Sequence, residues 1–175
     1  LWEKCFLKLF HVVPVDENNP LLKLRVREYT SNTPITLSDG EVIQKGDRVL
    51  ELHFDNDTLF RMGANAKTSL HLAIQLIRNI EQLLPQLIKV IETNPEYRDI
   101  KGLYGVSMIH RGSRQLGFTV IDMPKGTFAF MTQLYLRLLM YVIHPKGKER
   151  LKTNTDKLVP KIIAMSKKEL MNRYA

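Results

Sequence analysis

Strict alternation of apolar and polar residues predicts β-structure in the first third of the chain. From Leu22 to Thr30, apolar residues alternate with basic ones, which predicts a half-buried strand with a basic outer face. Residues 48–56 alternate in the same way, and a hairpin is predicted at 35–43 around the turn Ser-Asp-Gly. Glu51 and His53 should share one face, because strand side chains two positions apart point the same way.

Helical periodicity replaces this alternation after a predicted loop at residues 57–65. Apolar residues recur every three or four positions over 66–93 and predict a long helix, which Pro85 should kink or split. Its predicted buried stripe is Leu70, Ile74, Ile77, Ile80, Leu84, Leu87, Ile88 and Ile91. Residues 127–144 are apolar on nearly every face and predict a second, buried helix, which its length and Arg137 distinguish from a membrane span.

Amphipathic helices are predicted at both ends of the chain, over residues 1–12 and 156–174. Docking on the core of the domain is the preferred interpretation for each, and lying on a membrane surface is the alternative. Lysines flank the apolar stripe of the second helix, and this pattern fits either interpretation.

The stretch 102–124 holds two apolar runs separated by a polar turn. Residues 103–109 predict an interior strand, and residues 117–122 predict another. Residues 111–116 fit either a helical turn closed by Gly117 in a left-handed cap or a wide hairpin loop, and the Leu-Gly-Phe ending favours the helical turn. Since few residues separate the two strands, we expect them to run antiparallel.

These elements predict an α+β fold in a single domain, residues 1–175. The predicted architecture is an antiparallel or mixed sheet of about five strands, packed against two long core helices at 66–93 and 127–144. A chain of 175 residues can bury a sufficient core without staples, and its single cysteine, Cys5, excludes an internal disulfide. The cysteine content favours a reducing compartment, so we expect a cytoplasmic location, with the inner membrane surface as an alternative.

The net charge of +8 comes from the last third of the chain. Residues 1–122 carry equal numbers of basic and acidic residues, whereas residues 123–175 carry 11 Lys and Arg against 3 Asp and Glu. This skew favours an acidic partner, which could be nucleic acid, an anionic membrane face or an acidic protein, and a solvated basic surface is the alternative. Nucleic acid is the least favoured partner, because base-stacking aromatic residues are not evident.

Candidate chemistry is restricted to a few side chains. Phosphate-loop, zinc, EF-hand and serine-hydrolase motifs are all missing from the sequence, so we expect no cofactor and no metal. Acid–base candidates are Glu51, His53 and His110, although a carboxylate beside an imidazole can equally be a plain surface ion pair. Arg137 needs an anion, which either a carboxylate of the chain or a ligand would supply. The candidate anion-binding residues are Arg111, Arg114, Arg137 and His144.

Five short motifs together resemble the YkoP-like domain of spore-forming Gram-positive bacteria. They are Gly46-Asp47-x-x-x-Glu51-Leu52-His53-x-Asp55-Asn56, Tyr104-Gly105-x-Ser107-Met108-x-His110-Arg111-Gly112, Leu116-Gly117-Phe118, Leu138-Leu139-Met140 and Ile143-His144-Pro145-x-Gly147-x-x-Arg150. The resemblance covers residues 20–152 and leaves 153–175 as a basic C-terminal helix. It implies a bacterial protein of an uncharacterised family, some members of which follow a polysaccharide deacetylase domain. The metal motif of the deacetylase is missing here, so that activity is not implied.

The family association directs attention to the cell envelope. We therefore expect a ligand-binding or accessory domain for an anionic envelope glycan or a lipid-linked sugar phosphate. One alternative is an enzyme that uses Glu51, His53 and His110 for acid–base chemistry. Another is a basic surface module that binds an anionic membrane.

Overall fold

A six-stranded mixed sheet forms the centre of the computed structural model, which describes residues 12–107, 110–123, 126 and 160–175. The strands are β1 Val13–Pro14, β2 Leu22–Glu28, β3 Ile35–Thr36, β4 Val42–Ile43, β5 Arg48–Phe54, β6 Gly102–Ser107, β7 Thr119–Asp122 and β8 Lys161–Ser166. The helices are α1 Asn56–Asn65, α2 Ser69–Thr93, α3 His110–Gln115 and α4 Lys167–Tyr174, with a short 3₁₀ helix at Pro95–Tyr97.

The strand order of the main sheet is β1-β2-β5-β6-β8-β7, and β3 pairs with β4 in a separate hairpin. Only β5 and β6 run parallel among the neighbouring strands of the main sheet in the described residues. The predicted α+β class with a mixed sheet is confirmed, as are the strands at 22–30 and 48–56 and the hairpin at 35–43.

The two strands that flank the polar turn of residues 111–116 run parallel, and the antiparallel prediction was wrong. Both β6 and β7 pair antiparallel with β8, which lies between them. The prediction assumed that the two strands are neighbours, whereas the insertion of β8 gives α3 room to cross from one to the other. Gly117 closes α3 with a φ of 94°, and the amide of Phe118 donates to the carbonyl of Ser113 at 3.0 Å. The helical-turn alternative is therefore confirmed.

The amphipathic helix predicted at 156–174 is wrong over its central part. Lys161–Ser166 is strand β8 inside the sheet, and only Lys167–Tyr174 is helical. Ile162, Ile163 and Met165 of β8 are all buried. Consecutive apolar residues are typical of a strand that is buried on both faces. Periodicity alone cannot distinguish such a strand from a segment of a buried helix. A membrane-surface helix over this segment is thereby contradicted.

Helices α1 and α2 also depart from the sequence prediction. Residues 57–65 belong to α1 and not to a loop, because Asp55 caps the helix by accepting from the amide of Thr58 at 2.8 Å. Helix α2 continues unbroken through the exposed Pro85, so the predicted split does not occur. The second predicted core helix, 127–144, and the predicted helix 1–12 apart from Val12 lie outside the described residues.

The core lies between α2 and one face of the sheet. Its largest fully buried side chains include Leu83, Leu84 and Leu87 of α2, packed with Leu24, Leu50, Leu103 and Met165 of the sheet. A second cluster on the opposite face joins Val49 and Ala164 to the β3–β4 hairpin. Leu70 and Ile74 are 68% and 42% exposed, so their assignment to the buried stripe was wrong. Two adjacent apolar rows run along this helix, and periodicity alone cannot identify the row that faces the sheet.

Candidate functional site

A polar cluster lies on the sheet face opposite α2, where β2 and β5 pair. Arg25 stands across from Glu51 and Lys23 across from His53 in the antiparallel register. The alternation that turns Leu24 and Leu50 towards α2 turns these polar side chains to the other face. We call Arg25, Arg27, Glu51 and His53 the Arg–Glu–His cluster.

Glu51 is the centre of this cluster. Its Oε1 accepts from the Arg27 guanidinium at 2.9 Å, and its Oε2 lies 3.1 Å from Nε2 of His53. The Nε atom of Arg25 lies 3.4 Å from the same Oε2. The Glu51 side chain is 13% exposed, whereas those of Arg27 and His53 are 28% and 35% exposed. A largely buried carboxylate thus holds two basic side chains that are more exposed to solvent.

The electrostatics of the cluster keep Glu51 ionised. Burial alone would raise the pKa of Glu51, but the hydrogen bond and charge of His53, followed by the charges of Arg27 and Arg25, outweigh burial and lower it. The ordinary pKa of this carboxyl group is 4.5, so Glu51 is an anion at neutral pH. It can orient a neighbouring base, but it is unsuited to act as a general acid.

Aromatic rings support the cluster from the adjoining strand. Tyr104 of β6 stands across from Glu51, and its ring centroid lies 5.7 Å from Cζ of Arg27. Tyr29 packs edge-on against Tyr104, with ring centroids 5.8 Å apart. Burial raises the pKa of Tyr104, which therefore stays neutral. The guanidinium of Arg27 is fixed by a carboxylate and by an aromatic ring.

A second ion pair continues the same face. Nζ of Lys23 lies 2.5 Å from Oδ2 of Asp55. Burial raises the pKa of Asp55, but the hydrogen bonds from Lys23 and Thr58 outweigh that effect and lower it. Because Asp55 also caps α1, we assign this pair a structural role.

The structure brings together only part of the predicted site. Glu51 and His53 are neighbours on one face, as predicted. His110 begins α3, which packs against α2 where Gly112 meets Ile77, on the other side of the sheet. There the hydrogen bond from Lys161 lowers the pKa of Asp122, with a smaller effect from the charge of His110. His110 is therefore separated from the Glu51–His53 pair by the sheet.

The predicted anion-binding residues are only partly described. Arg114 is exposed on α3, whereas the side chain of Arg111, and Arg137 and His144 entirely, lie outside the described residues. Their convergence on one site stays a prediction. Arg25 and Arg27 were missed as site residues, because the sequence pattern assigned them to a solvated face. Their contacts with Glu51 follow from the β2–β5 register, which alternation alone does not supply.

Within the described ranges, no group of three or more His, Cys, Asp or Glu is arranged to hold a metal ion. Within the same ranges, no helix is both long enough and apolar enough to cross a bilayer.

The described fold is that of an α+β domain with a mixed sheet and a polar cluster on one face. The chain belongs to the YkoP domain family, which matches residues 1–174. It is similar to "Uncharacterized protein YkoP" of Bacillus subtilis (strain 168), with 27% identity over 129 residues that cover 67% of this chain and 70% of that protein. No solved structure matches the chain. The resemblance drawn from the sequence motifs is confirmed, and the family match extends beyond residues 20–152.

Proposed function

We propose that this domain binds an anionic ligand at the Arg–Glu–His cluster and serves as a binding or accessory domain. The observation that carries the proposal is the largely buried, ionised Glu51, which holds the more exposed Arg27 and His53 in fixed positions. Side chains that are ordered before binding lose less conformational entropy when a ligand arrives. The outer edges of this guanidinium and this imidazole can therefore receive an anion at low cost.

The charge of the face supports an anionic partner. Strand β2 contributes Lys23, Arg25 and Arg27, whereas β5 and the residue after it contribute Glu51 and Asp55. A planar guanidinium offers paired N–H donors that match the oxygens of phosphate or carboxylate. The association with polysaccharide deacetylase domains that the sequence resemblance implies leads us to propose an envelope glycan or a lipid-linked sugar phosphate as the source of that anion. Arg111 and Arg114 belong to α3, which packs against α2 on the other side of the sheet, so we do not assign them to this binding event. The roles of Arg137 and His144 in it stay predictions.

Calorimetric titration with N-acetylglucosamine 1-phosphate tests the proposal, and neutral N-acetylglucosamine is the control ligand. We expect the phosphorylated sugar to bind and Arg27→Gln to weaken its affinity about tenfold or more, because a hydrogen bond to a charged group contributes roughly 1.5–3 kcal/mol. Arg98→Gln removes an exposed cation outside the cluster and should leave the affinity unchanged. Equal affinities for the two sugars, or for the Arg27→Gln variant and the wild type, would refute the proposal.

An enzymatic function is the second candidate, and the Glu51–His53 contact is the observation that favours it. An ionised carboxylate that accepts from Nε2 leaves Nδ1 of His53 as the nitrogen that would take up a proton. Hydrolysis of p-nitrophenyl phosphate and p-nitrophenyl acetate by the wild type and by His53→Gln tests this candidate. Turnover that the variant retains in full, or no turnover by either protein, would remove it.

A further inference from the structure

The contact with Glu51 fixes which ring nitrogen of His53 carries a hydrogen. Nε2 of His53 lies 3.1 Å from Oε2 of Glu51, and because Glu51 is ionised, this nitrogen donates to the carboxylate. In the neutral imidazole the other nitrogen, Nδ1, is then an acceptor. A proton that His53 takes up therefore binds at Nδ1 and turns that atom from an acceptor into a donor.

The ring of His53 is accessible to a molecule that arrives from solvent. Its side chain is 35% exposed, the largest exposed fraction in the Arg–Glu–His cluster. Within the described part of the chain, the contact with Glu51 is the one hydrogen bond that the ring makes. Nδ1 can therefore meet a ligand without the loss of a contact inside the protein.

One proton changes the net charge of this face. Apart from His53, its described charged groups are three cations and two carboxylates: Lys23, Arg25, Arg27, Glu51 and Asp55. With a neutral imidazole the positive charges therefore exceed the negative ones by one, and with an imidazolium they exceed them by two. The protonated face attracts an anion more strongly.

His53 is also the described group of this face that is suited to titrate near neutral pH. Histidine ordinarily changes its charge between about pH 5 and 8. Burial would raise the pKa values of Glu51 and Asp55, but their hydrogen-bond partners outweigh burial and lower them. Burial raises the pKa of Tyr104, the aromatic neighbour on β6. These three groups therefore keep their charge states in the interval where histidine titrates.

We propose that His53 binds the anion as the imidazolium, through Nδ1–H, so that the site takes up a proton from solvent together with its ligand. This role rests on the function proposed above and adds its regulation by pH. Arg27 and His53 contact the two oxygens of one carboxylate, so a single bound phosphate can meet both. A neutral ring would present the Nδ1 lone pair to the oxygens of the ligand, and the two would repel each other. By linkage, the proton and the ligand strengthen each other's binding.

Calorimetric titration at about pH 5.5 and about pH 8.5 tests this role. The probe is the methyl phosphodiester of N-acetylglucosamine 1-phosphate, because a diester keeps its single negative charge in this interval, whereas a phosphate monoester titrates there. We expect the wild type to bind about tenfold or more tightly at the lower pH, since it gains a hydrogen bond from a charged donor. At about pH 7, buffers of different ionisation enthalpy should reveal net proton uptake on binding.

Three variants separate the contributions to binding. His53→Gln keeps a donor for Glu51 but cannot titrate, so it should bind equally at the two pH values and take up no proton. Arg27→Gln should weaken binding at both pH values and keep the pH dependence. His71→Gln is the matched control, because His71 lies on α2, on the other side of the sheet, and it should behave as the wild type does.

The outcomes distinguish this role from the function on which it rests. Equal wild-type affinities at the two pH values, or a His53→Gln variant that keeps the pH dependence, would overturn the proposal and leave anion binding by the cluster intact. A diester that does not bind at about pH 5.5 would overturn it as well, and titration with the monoester then decides separately whether the cluster binds an anion. The wild-type affinities and proton uptake decide the matter even where a variant does not fold.

Discussion

Replacing Glu51 by glutamine should destabilise the fold, because the guanidiniums of Arg25 and Arg27 then lose the negative charge that compensates them. The substitution preserves the shape of the side chain and removes its charge. In the wild type, this carboxylate has contacts to Arg27 at 2.9 Å, to His53 at 3.1 Å and to Arg25 at 3.4 Å. Glutamine keeps one oxygen acceptor but turns the other position into a donor that faces cations.

The magnitude follows from how far the partners are buried. Removing one member of a fully buried ion pair costs about 3–5 kcal/mol, because the remaining charge is left without compensation. Here the side chains of Arg25 and Arg27 are 22% and 28% exposed, so water solvates them in part. The neutral amide also avoids the desolvation cost that the partly buried carboxylate of Glu51 incurs. We therefore expect a loss of about 2 kcal/mol, which corresponds to a fall of about 4–8 °C in Tm for a chain of this size.

The dependence on pH identifies the charge as the cause. The pKa of Glu51 lies below its ordinary value of 4.5 in the folded protein, so the unfolded chain takes up the proton first as the pH falls. The stabilisation is complete above the ordinary pKa and is lost as the pH falls through the folded pKa. The wild type should therefore exceed Glu51→Gln in stability at about pH 7, and the difference should shrink below about pH 4.

Urea unfolding followed by far-ultraviolet circular dichroism at both pH values measures this difference. Asp99→Asn is the control, because Asp99 pairs with Arg48 at the surface and is 63% exposed. Such pairs add little to stability, so its unfolding midpoint should match that of the wild type. A Glu51→Gln variant as stable as the wild type at neutral pH, or a difference that does not change with pH, would refute the reasoning.

Three further substitutions test the backbone and capping contacts. Gly102→Ala should lower Tm far more than Gly105→Ala, because a Cβ at position 102 would overlap the backbone oxygen of Met165, whereas the nearest atom to one at position 105 is 3.4 Å away. Equal melting temperatures would contradict this. Gly117→Ala should cost about 1–2 kcal/mol in urea unfolding, since its φ of 94° is unfavourable for any residue with a Cβ. Ser166→Ala should cost about 1 kcal/mol or more, because the Ser166 hydroxyl caps α4 and also donates to Asp39; an unchanged unfolding midpoint would show that the cap contributes nothing.

Local patterns predicted the elements whose burial repeats at a regular period. Alternation identified β2 and β5, and helical spacing identified α2, because each has one face in the core. Strand β8 was not predicted. Its Ile162 and Ile163 are buried on opposite faces of the sheet, so apolar and polar residues do not alternate along it. Its place between β6 and β7 depends on contacts between distant parts of the chain.

The same distinction applies to the candidate site: proximity within one strand was predicted, whereas contacts between separate elements were not. Glu51 and His53 lie close together because side chains two positions apart in a strand point to the same face, so the sequence predicted their proximity. The contacts of Arg25 and Arg27 with Glu51 need the register between two strands, which the sequence pattern does not fix. The separation of His110 from this pair needs the knowledge that α3 crosses on the α2 side of the sheet.

The position of β8 also constrains the order in which the molecule assembles. Strands β6 and β7 are complete in sequence before β8 begins, yet each hydrogen bonds to β8 in the finished sheet. Until β8 is synthesised, β6 can pair with β5 along one edge while its other edge stays open. Over the same period, β7 has no strand partner among the described residues. Exposed edges of this kind attract strands from other chains, so aggregation during expression is most to be expected in chains that stop short of Lys161.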